Sequence, residues 1–157
     1  MRILLRAVMN CPPDAAWHLL TTPAGMRAVA APLLDFRSLE PGGFPASWPE
    51  GSHTLEVRAL GLLPVGRQTV DIGFERRGDV RIVHDTGRAL DWPLTLTTTW
   101  HHRMAVSGTR DGRTLFRDEL RFGAGALTPV LWLGYWVFWQ WRLRGIIRLA
   151  DAAGAAS

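Results

Sequence analysis

A strand pair followed by one long helix decides the fold of this chain. Residues 94–122 read LTLTTTWHHRMAVSGTRDGRTLFRDELRF, and residues 129–151 read PVLWLGYWVFWQWRLRGIIRLAD. Apolar and polar side chains alternate over 94–107 and again over 113–122, and the glycine-containing loop between them predicts an antiparallel hairpin. A hairpin with one apolar face needs a cover, so we expect the helix at 129–151 to pack against it.

The remaining segments extend this hairpin into an α+β domain. Residues 2–9 alternate as a first strand. The Pro-Pro-Asp turn at 12–14 begins a short helix, because proline fits a first helical turn and an acidic residue there interacts favourably with the helix dipole. Short consecutive connections imply antiparallel pairing, so we predict a sheet of about six to seven strands, with two short helices after the first strand. The domain is expected to cover 1–153, followed by a frayed tail at 154–157. The other predicted elements are helices at 13–21 and 23–31 and strands at 33–39, 53–60, 67–76 and 80–86.

The charge of the chain comes from arginine. Its 157 residues include 18 basic and 14 acidic ones, which gives a net charge of +4, and no lysine occurs. The arginines are scattered along the chain, whereas a nucleic-acid binder concentrates its basic residues. We therefore expect no nucleic-acid partner.

The cysteine count and the hydropathy pattern favour the cytoplasm. Cys11 is the only cysteine, so no internal disulfide can form. The first ten residues are interrupted by arginines and do not resemble a signal peptide. The apolar run at 126–141 is shorter than the roughly 20 residues that a membrane-spanning helix needs, and arginines follow it directly. We expect a cytoplasmic protein.

Common catalytic and metal-binding patterns do not occur in the sequence. His101 and His102 are adjacent on a predicted strand, so they point to opposite faces and cannot share a metal ion. The chain has one cysteine, no glycine-rich phosphate loop and no nucleophile elbow. We expect no metal site, and no neighbouring base in the sequence marks Cys11 as a nucleophile.

His102 and Asp118 form the most informative pair of residues. Alternation places each of them on the mostly apolar face of its strand. If residue 107 lies opposite 113, His102 lies opposite Asp118 and both faces point the same way. A buried carboxylate needs a hydrogen-bond partner. The pair is then a structural contact that fixes the register, an anchor for a ligand headgroup, or a candidate catalytic acid–base pair.

The order of elements resembles the helix-grip fold of the START-like superfamily, also called SRPBCC, which includes Bet v 1-like proteins, polyketide cyclase/dehydrase-like proteins and lipid-transfer domains. Three segments carry the resemblance: PPDAAWHLLTTP at 12–23, LGLLPVG at 60–66, and WHHR at 100–103 with Gly112, Thr114 and Asp118 after it. The resemblance implies an apolar cavity between a curved sheet and the long helix, and it implies no cofactor. Some members are enzymes and others only bind ligands, so the fold leaves the function open.

These observations support three hypotheses of function. The first is reversible binding of an apolar or amphipathic small molecule, such as a lipid, an isoprenoid or a polyketide-like aromatic. The second is a cyclase or dehydratase that moves protons with His102 and Asp118. The third is a protein-interaction module with a filled core. The residues expected to line a cavity are Leu55, Val57, Ile72, Phe74, Trp100, His102, Met104, Asp118, Leu120, Trp136 and Trp139.

The long helix has two apolar faces. At about 100° per residue, one stripe faces the sheet as core or as the lid of a cavity. The first half is also apolar on the other side, close to arginines, which favours a homodimer or shallow contact with a membrane surface. The alternative is that the loop at 41–51, with Phe44 and Trp48, covers this outer face. The inner stripe is predicted as Trp132, Trp136, Trp139, Leu143, Ile146, Ile147 and Ala150, the outer face as Leu133, Val137, Phe138 and Trp141, and the neighbouring arginines as Arg142, Arg144 and Arg148.

Overall fold

A seven-stranded antiparallel sheet and a long C-terminal helix make up most of the molecule, which confirms the predicted α+β helix-grip architecture. The structure, a computed structural model, describes residues 1–155. The strands lie in the order β1-β7-β6-β5-β4-β3-β2, and the two short helices follow the first strand. The elements are β1 (Arg2–Met9), α1 (Pro13–Leu20), α2 (Pro23–Ala30), β2 (Leu34–Ser38), β3 (Gly51–Ala59), β4 (Leu63–Arg77), β5 (Val80–Asp85), β6 (Thr99–Gly108), β7 (Thr114–Gly123) and α3 (Thr128–Ala155).

Proline and threonine position the two short helices. Pro12 and Pro13 begin α1, as the sequence predicts. Thr22 caps α2, because its side-chain oxygen accepts a hydrogen bond from the backbone N–H of Gly25 at 3.1 Å, and Pro23 occupies the first turn. Both helices therefore begin at sharp, well-defined points between the first strand and the rest of the sheet.

The predicted register of the β6–β7 hairpin is wrong by two residues, although the faces are correct. Gly108 pairs with Thr114, so the loop holds five residues, 109–113, and His102 lies opposite Leu120. The loop closes by a hydrogen bond from the N–H of Thr109 to the carbonyl oxygen of Arg113 at 2.8 Å. Gly112 adopts the left-handed conformation that this loop requires, with φ of 78°. An even shift in register leaves every side chain on its predicted face.

Two predicted boundaries also differ from the structure. The predicted strand at 94–107 begins only at Thr99, because Leu94–Leu96 form a single 3-10 turn. The connection between the predicted strands at 53–60 and 67–76 is shorter in the structure, since Leu60 and Gly61 form a tight turn with positive φ, at 51° and 68°, and β4 starts at Leu63. Two consecutive residues with positive φ match the twist of a tight hairpin.

The second half of α3 packs against backbone through small residues. A side chain at Gly145 would meet the carbonyl oxygen of Val29 at 3.2 Å, and one at Gly154 would overlap the carbonyl oxygen of Asn10. In the first half, by contrast, a β-carbon added at Gly134 would have no atom within 4 Å. The helix is thus fixed against the body of the protein at its C-terminal half, while Gly134 faces open space.

The end of α3 reaches beyond the predicted domain boundary. Gly154 and Ala155, which were predicted as tail, are helical. The other two predicted tail residues, Ala156 and Ser157, lie outside the described residues. Within 1–155, no helix combines the length and the apolar character needed to cross a membrane.

The loop at 41–51 does not cover the outer face of α3, so that alternative is wrong. Trp48 is buried, and its backbone N–H donates to the carbonyl oxygen of Thr21 at 2.9 Å. Its ring lies 5.8 Å from that of Phe44 and 5.1 Å from that of His53. The loop therefore packs beside α1 and β3, and Leu133, Val137 and Trp141 on the outer face of α3 remain exposed.

Candidate functional site

A cavity of about 400 Å³ lies between the concave face of the sheet and α3. Most of its wall is apolar. The helices α1 and α2 contribute Leu20, Met26 and Val29, and the sheet contributes Val57, Val70, Ile72, Val83 and Met104. The first half of α3 supplies the opposite wall with Leu131, Tyr135, Phe138 and Trp139.

The cavity opens at one end of the sheet. Two of the residues that line it, Arg88 and Gly134, are exposed to solvent. Because the strands are antiparallel, this end of the sheet carries the segment at 86–98 and the beginning of α3.

A buried polar cluster borders the cavity on the side of β6, β7 and α3. The Nε2–H of His102 donates to Oδ1 of Asp118 at 2.8 Å, and the indole N–H of Trp139 donates to the same oxygen at 3.2 Å. Arg142 donates to Oδ2 of Asp118 and, through Nη2, to the sulfur of Met104 at 2.9 Å. The exposed fractions of His102, Asp118 and Arg142 are only 7%, 1% and 9%. The prediction that His102 and Asp118 meet on the concave face is confirmed, although they are diagonal neighbours and not opposite one another.

Asp118 is held in its ionised form. Burial by itself would raise the pKa of this carboxyl, but the charges of His102 and Arg142 and the hydrogen bonds from His102 and Trp139 lower the pKa to about 2. A buried carboxylate is costly unless it is paired and hydrogen-bonded, and here both of its oxygens have partners. Asp118 therefore orients its neighbours and has no proton to donate near neutral pH.

A second set of polar contacts lies nearer the opening. Asp85 accepts hydrogen bonds from the indole N–H of Trp100 at 3.3 Å and from the backbone N–H groups of Asp71 and Gly87, at 3.0 and 2.9 Å. The hydroxyl of Tyr135 lies 2.9 Å from that of Thr97, and burial raises the pKa of this phenol. These contacts fix the segment after β5 against the sheet.

Several predicted lining residues do not reach the cavity. Leu55 and Leu120 are buried in the core clusters, and Asp118 lies behind His102. Phe74 packs against Trp17, with ring centroids 5.7 Å apart. Trp136 is exposed, so its predicted position on the inner stripe is wrong. The predicted residues that do line the cavity are Val57, Ile72, Trp100, His102, Met104 and Trp139.

The inner face of α3 is rotated relative to the prediction. Phe138 was assigned to the outer face but lines the cavity, and Arg142 was grouped with surface arginines but is buried. The first half of the helix is apolar on all sides, so its sequence does not show which side meets solvent. The true inner face, with Leu131, Tyr135, Phe138, Arg142 and Ile146, has the same spacing by three or four residues as the predicted stripe, so spacing alone could not distinguish the two.

The two other kinds of site considered in the sequence are a metal site and a reactive cysteine. Among residues 1–155, no three His, Cys, Asp or Glu side chains come close enough to hold a metal ion. Cys11 is buried, with its sulfur 3.9 Å from the hydroxyl of Thr114, and burial raises the pKa of the thiol. A raised pKa disfavours the reactive thiolate.

Comparisons with known proteins identify the fold only. No family model matches the chain, and no curated protein matches it. Solved structures do. A protein from Chromobacterium violaceum is similar with a TM-score of 0.63 and 15% identity, covering 96% of this chain and 97% of that one. A protein from Mycobacterium smegmatis is similar with a TM-score of 0.65 and 16% identity, covering 99% and 91%. The Aha1 dimer from Colwellia psychrerythraea is similar with a TM-score of 0.62 and 11% identity, covering 98% of each chain.

Proposed function

We propose that this protein binds an apolar or amphipathic small molecule in the cavity between the sheet and α3. The cavity of about 400 Å³ carries this proposal. Ligand sites are typically concave, mostly apolar and supplied with a few buried polar groups, and their volumes range from roughly 300 to 1,000 Å³. Here the apolar wall and the cluster of His102, Asp118 and Arg142 have this composition.

The size of the cavity favours a small ligand. Its volume is near the lower end of the usual range, so it fits one chain or ring system better than a lipid with two acyl chains.

We also propose membership of the START-like superfamily, because the sheet order, the two early helices and the long C-terminal helix match the arrangement that the sequence resemblance implies. The cytoplasmic location remains a prediction.

An enzyme of the cyclase or dehydratase type is the second candidate. The contact of 2.8 Å between His102 and Asp118 favours it, because a carboxylate that orients an imidazole makes a serviceable general base. Since Asp118 stays ionised, His102 would carry the proton alone. Loss of turnover with intact binding in a His102 variant would indicate an enzyme. An interaction module with a filled core fits less well, because such a core would leave no comparable cavity.

Co-purified ligand and cavity filling together test the binding proposal. Native mass spectrometry of the purified protein should show a small molecule bound to the chain. The fluorescent probe 1-anilinonaphthalene-8-sulfonate should bind the emptied protein, and Gly134→Leu should weaken that binding, because position 134 lines the cavity and has free space.

Gly134→Ala is the matched control, since it gives the same gain in helix propensity without the reach of leucine. Equal probe binding by the wild type and both variants, with no co-purified molecule, would contradict the proposal.

The exposed face of α3 supports a second proposal, self-association. Leu133, Val137 and Trp141 have exposed fractions of 59%, 56% and 42%, so the predicted outer face lacks a cover within the described chain, with the exception of Phe138. An isologous dimer would bring two such faces together. The solved neighbour from Colwellia psychrerythraea is described as a dimer.

Sedimentation at two protein concentrations tests the dimer. We expect a concentration-dependent dimer for the wild type and a monomer for Val137→Glu, while Arg148→Glu further along the helix serves as a charge control. A monomer at both concentrations would contradict self-association. If that monomer pelleted with anionic vesicles at low salt only, the face would be a membrane-contact surface instead.

A further inference from the structure

Strand pairing gathers five arginines that are far apart in the sequence. They lie on the outer face of the sheet, opposite the concave face, because the alternate positions of the same strands point towards the cavity side. We call this surface the arginine face. It is formed by β1, β7 and β6, and its members are Arg2, Leu4, Arg6, Val8, Arg103, Arg117, Glu119 and Arg121.

The arginine face is open to solvent. The helices α1, α2 and α3 line the cavity, so they lie on the concave side of the sheet. On the outer side, Arg2, Arg6, Arg117 and Arg121 are all exposed. The exposed side of α3 points away from the sheet, so it and the arginine face are directed to opposite sides of the molecule.

Most of the positive charge on this face is not neutralised. Its single carboxylate, Glu119, lies 2.8 Å from Arg2 and 2.6 Å from Arg121. Five arginines and one glutamate give the face a charge of +4, which equals the net charge of the whole chain. The basic and acidic residues of the rest of the chain therefore balance.

The register places like charges directly opposite one another. Arg2 is the partner of Arg121 across β1 and β7, and Arg6 is the partner of Arg117. Like charges in such positions destabilise a sheet. An anionic partner would relieve this repulsion.

The other half of the sheet carries paired charges instead. On β3, Arg58 lies 3.6 Å from Glu56, and on β4, Arg77 forms an ion pair with Glu75. The excess of positive charge is thus confined to β1, β6 and β7, and a partner recognised by charge would bind there.

Apolar side chains among the arginines favour a lipid bilayer as this partner. Leu4 and Val8 belong to the same face of β1, with exposed fractions of 59% and 43%. Peripheral binding to an anionic bilayer combines burial of apolar surface with attraction between basic residues and acidic lipids. Single-stranded nucleic acid is typically bound on exposed aromatic rings, and the outward positions of these three strands, all within the described residues, hold no Phe, Trp or Tyr.

From these observations we propose that the arginine face binds the surface of an anionic lipid bilayer, with its arginines at the acidic headgroups and Leu4 in the interfacial layer. The face is separate from the cavity, so this proposal does not depend on the proposed ligand-binding function. It also differs from contact through α3, which would turn the opposite side of the molecule towards the membrane.

Cosedimentation of the full chain with vesicles tests the proposal. We expect binding to vesicles of phosphatidylcholine and phosphatidylserine, mixed at about 7 to 3, and none to pure phosphatidylcholine. Binding to the mixed vesicles should fall as the salt concentration rises from about 0.1 M to about 1 M, because the screening length shortens from about 10 Å to about 3 Å.

Replacing one like-charged pair isolates the contribution of this face. The double variant Arg6→Gln/Arg117→Gln should bind the mixed vesicles about 25-fold more weakly, since each arginine near an anionic surface contributes about a factor of five. Its melting temperature should be no lower than that of the wild type, because the change removes a repulsive pair. Loss of binding therefore cannot be attributed to unfolding.

Two control variants test the opposite side of the molecule. Arg144→Gln/Arg148→Gln removes the same charge from exposed positions of α3 and should change vesicle binding by less than about twofold, because distant exposed charges are screened. Val137→Glu alters the exposed side of α3 and should also bind like the wild type.

An apolar substitution distinguishes a bilayer from other polyanions. Leu4→Ser should weaken binding to the mixed vesicles about threefold or more, because less apolar surface is buried. Leu62→Ser is the matched control, since Leu62 is 73% exposed in the β3–β4 turn, outside the arginine face. A single-stranded uridine oligonucleotide, measured at the same salt concentration, should bind more weakly than the vesicles.

Several results would overturn the proposal. These are no pelleting with the mixed vesicles at low salt, equal pelleting with neutral vesicles, and equal losses of binding in Arg6→Gln/Arg117→Gln and Arg144→Gln/Arg148→Gln. Equal binding by Leu4→Ser and Leu62→Ser, or tighter binding of the oligonucleotide than of the vesicles, would do so as well.

Discussion

Replacing both members of the buried Asp118–Arg142 pair should cost less than the sum of the two single replacements. In Arg142→Met the carboxylate of Asp118 remains buried without the guanidinium of Arg142, and in Asp118→Asn that guanidinium remains buried without its anion. Breaking a buried pair in this way typically lowers the free energy of unfolding by about 3–5 kcal/mol. We expect both single variants to fall in this range.

The double variant tests the reasoning. Combining Asp118→Asn with Arg142→Met leaves neither an isolated carboxylate nor an isolated guanidinium, and the amide oxygen introduced at position 118 can still accept hydrogen bonds from His102 and Trp139. The double variant should therefore lose about 1–3 kcal/mol less than the two single losses combined. Urea unfolding followed by circular dichroism measures the four proteins. Arg27→Met is the control, because Arg27 pairs with Asp35 at the surface at 2.7 Å, and such exposed pairs contribute about 0–1 kcal/mol.

Additive losses in the cycle would refute the interpretation, because they would mean that Asp118 and Arg142 stabilise the protein independently. A single-variant loss as small as that of Arg27→Met would show that the cluster is hydrated and not buried.

Three further outcomes follow from burial and charge. Trp139→Ala should lower the free energy of unfolding by about 3–5 kcal/mol, while Trp136→Ala should lower it by about 1 kcal/mol or less. The reason is that Trp139 is 4% exposed and Trp136 is 41% exposed, and the denaturant midpoints of the two variants measure the difference. Asp118 has a pKa of about 2 in place of its ordinary 3.8, so its ionised form stabilises the fold above pH 3.8. A contribution on the order of 2 kcal/mol to the free energy of unfolding is lost as the pH falls towards 2. In acid titrations, Asp118→Asn should lack this acid-dependent loss of stability. Gly87→Ala should lower the melting temperature strongly, because the added carbon would overlap the carbonyl oxygen of Thr69, and an unchanged melting temperature would contradict that packing.

The alternation of polar and apolar residues predicted the faces of the strands β6 and β7. The conformation of the loop between them limited the prediction of their register. The strands at 99–108 and 114–123 carry their polar and apolar residues with a period of two, so the faces of His102 and Asp118 could be assigned from sequence. Their register depends on how many residues the loop contains, and that depends on the left-handed conformation of Gly112, which the pattern of polar and apolar residues does not encode.

The helix shows a different limit. Its first half has apolar side chains in every direction, so Trp136 and Phe138 were each placed on the wrong side. Arg142 looked like a solvent-exposed residue because its partner, Asp118, is 24 positions away in the chain. Only the folded structure brings this pair together, and the residue that completes the candidate site was therefore not predicted.

The two halves of α3 differ in how large a side chain they can accept, so substitutions in the two halves have different consequences. Around Gly145 and Gly154 the helix touches neighbouring backbone, so almost any larger residue there would disturb the whole fold. Around Gly134 an added side chain meets empty space, so substitutions can reshape the cavity at little risk to folding. A lineage could therefore change the shape of the cavity by altering the first half of this helix while selection preserves the second half, and laboratory libraries aimed at the cavity should be confined to the same region.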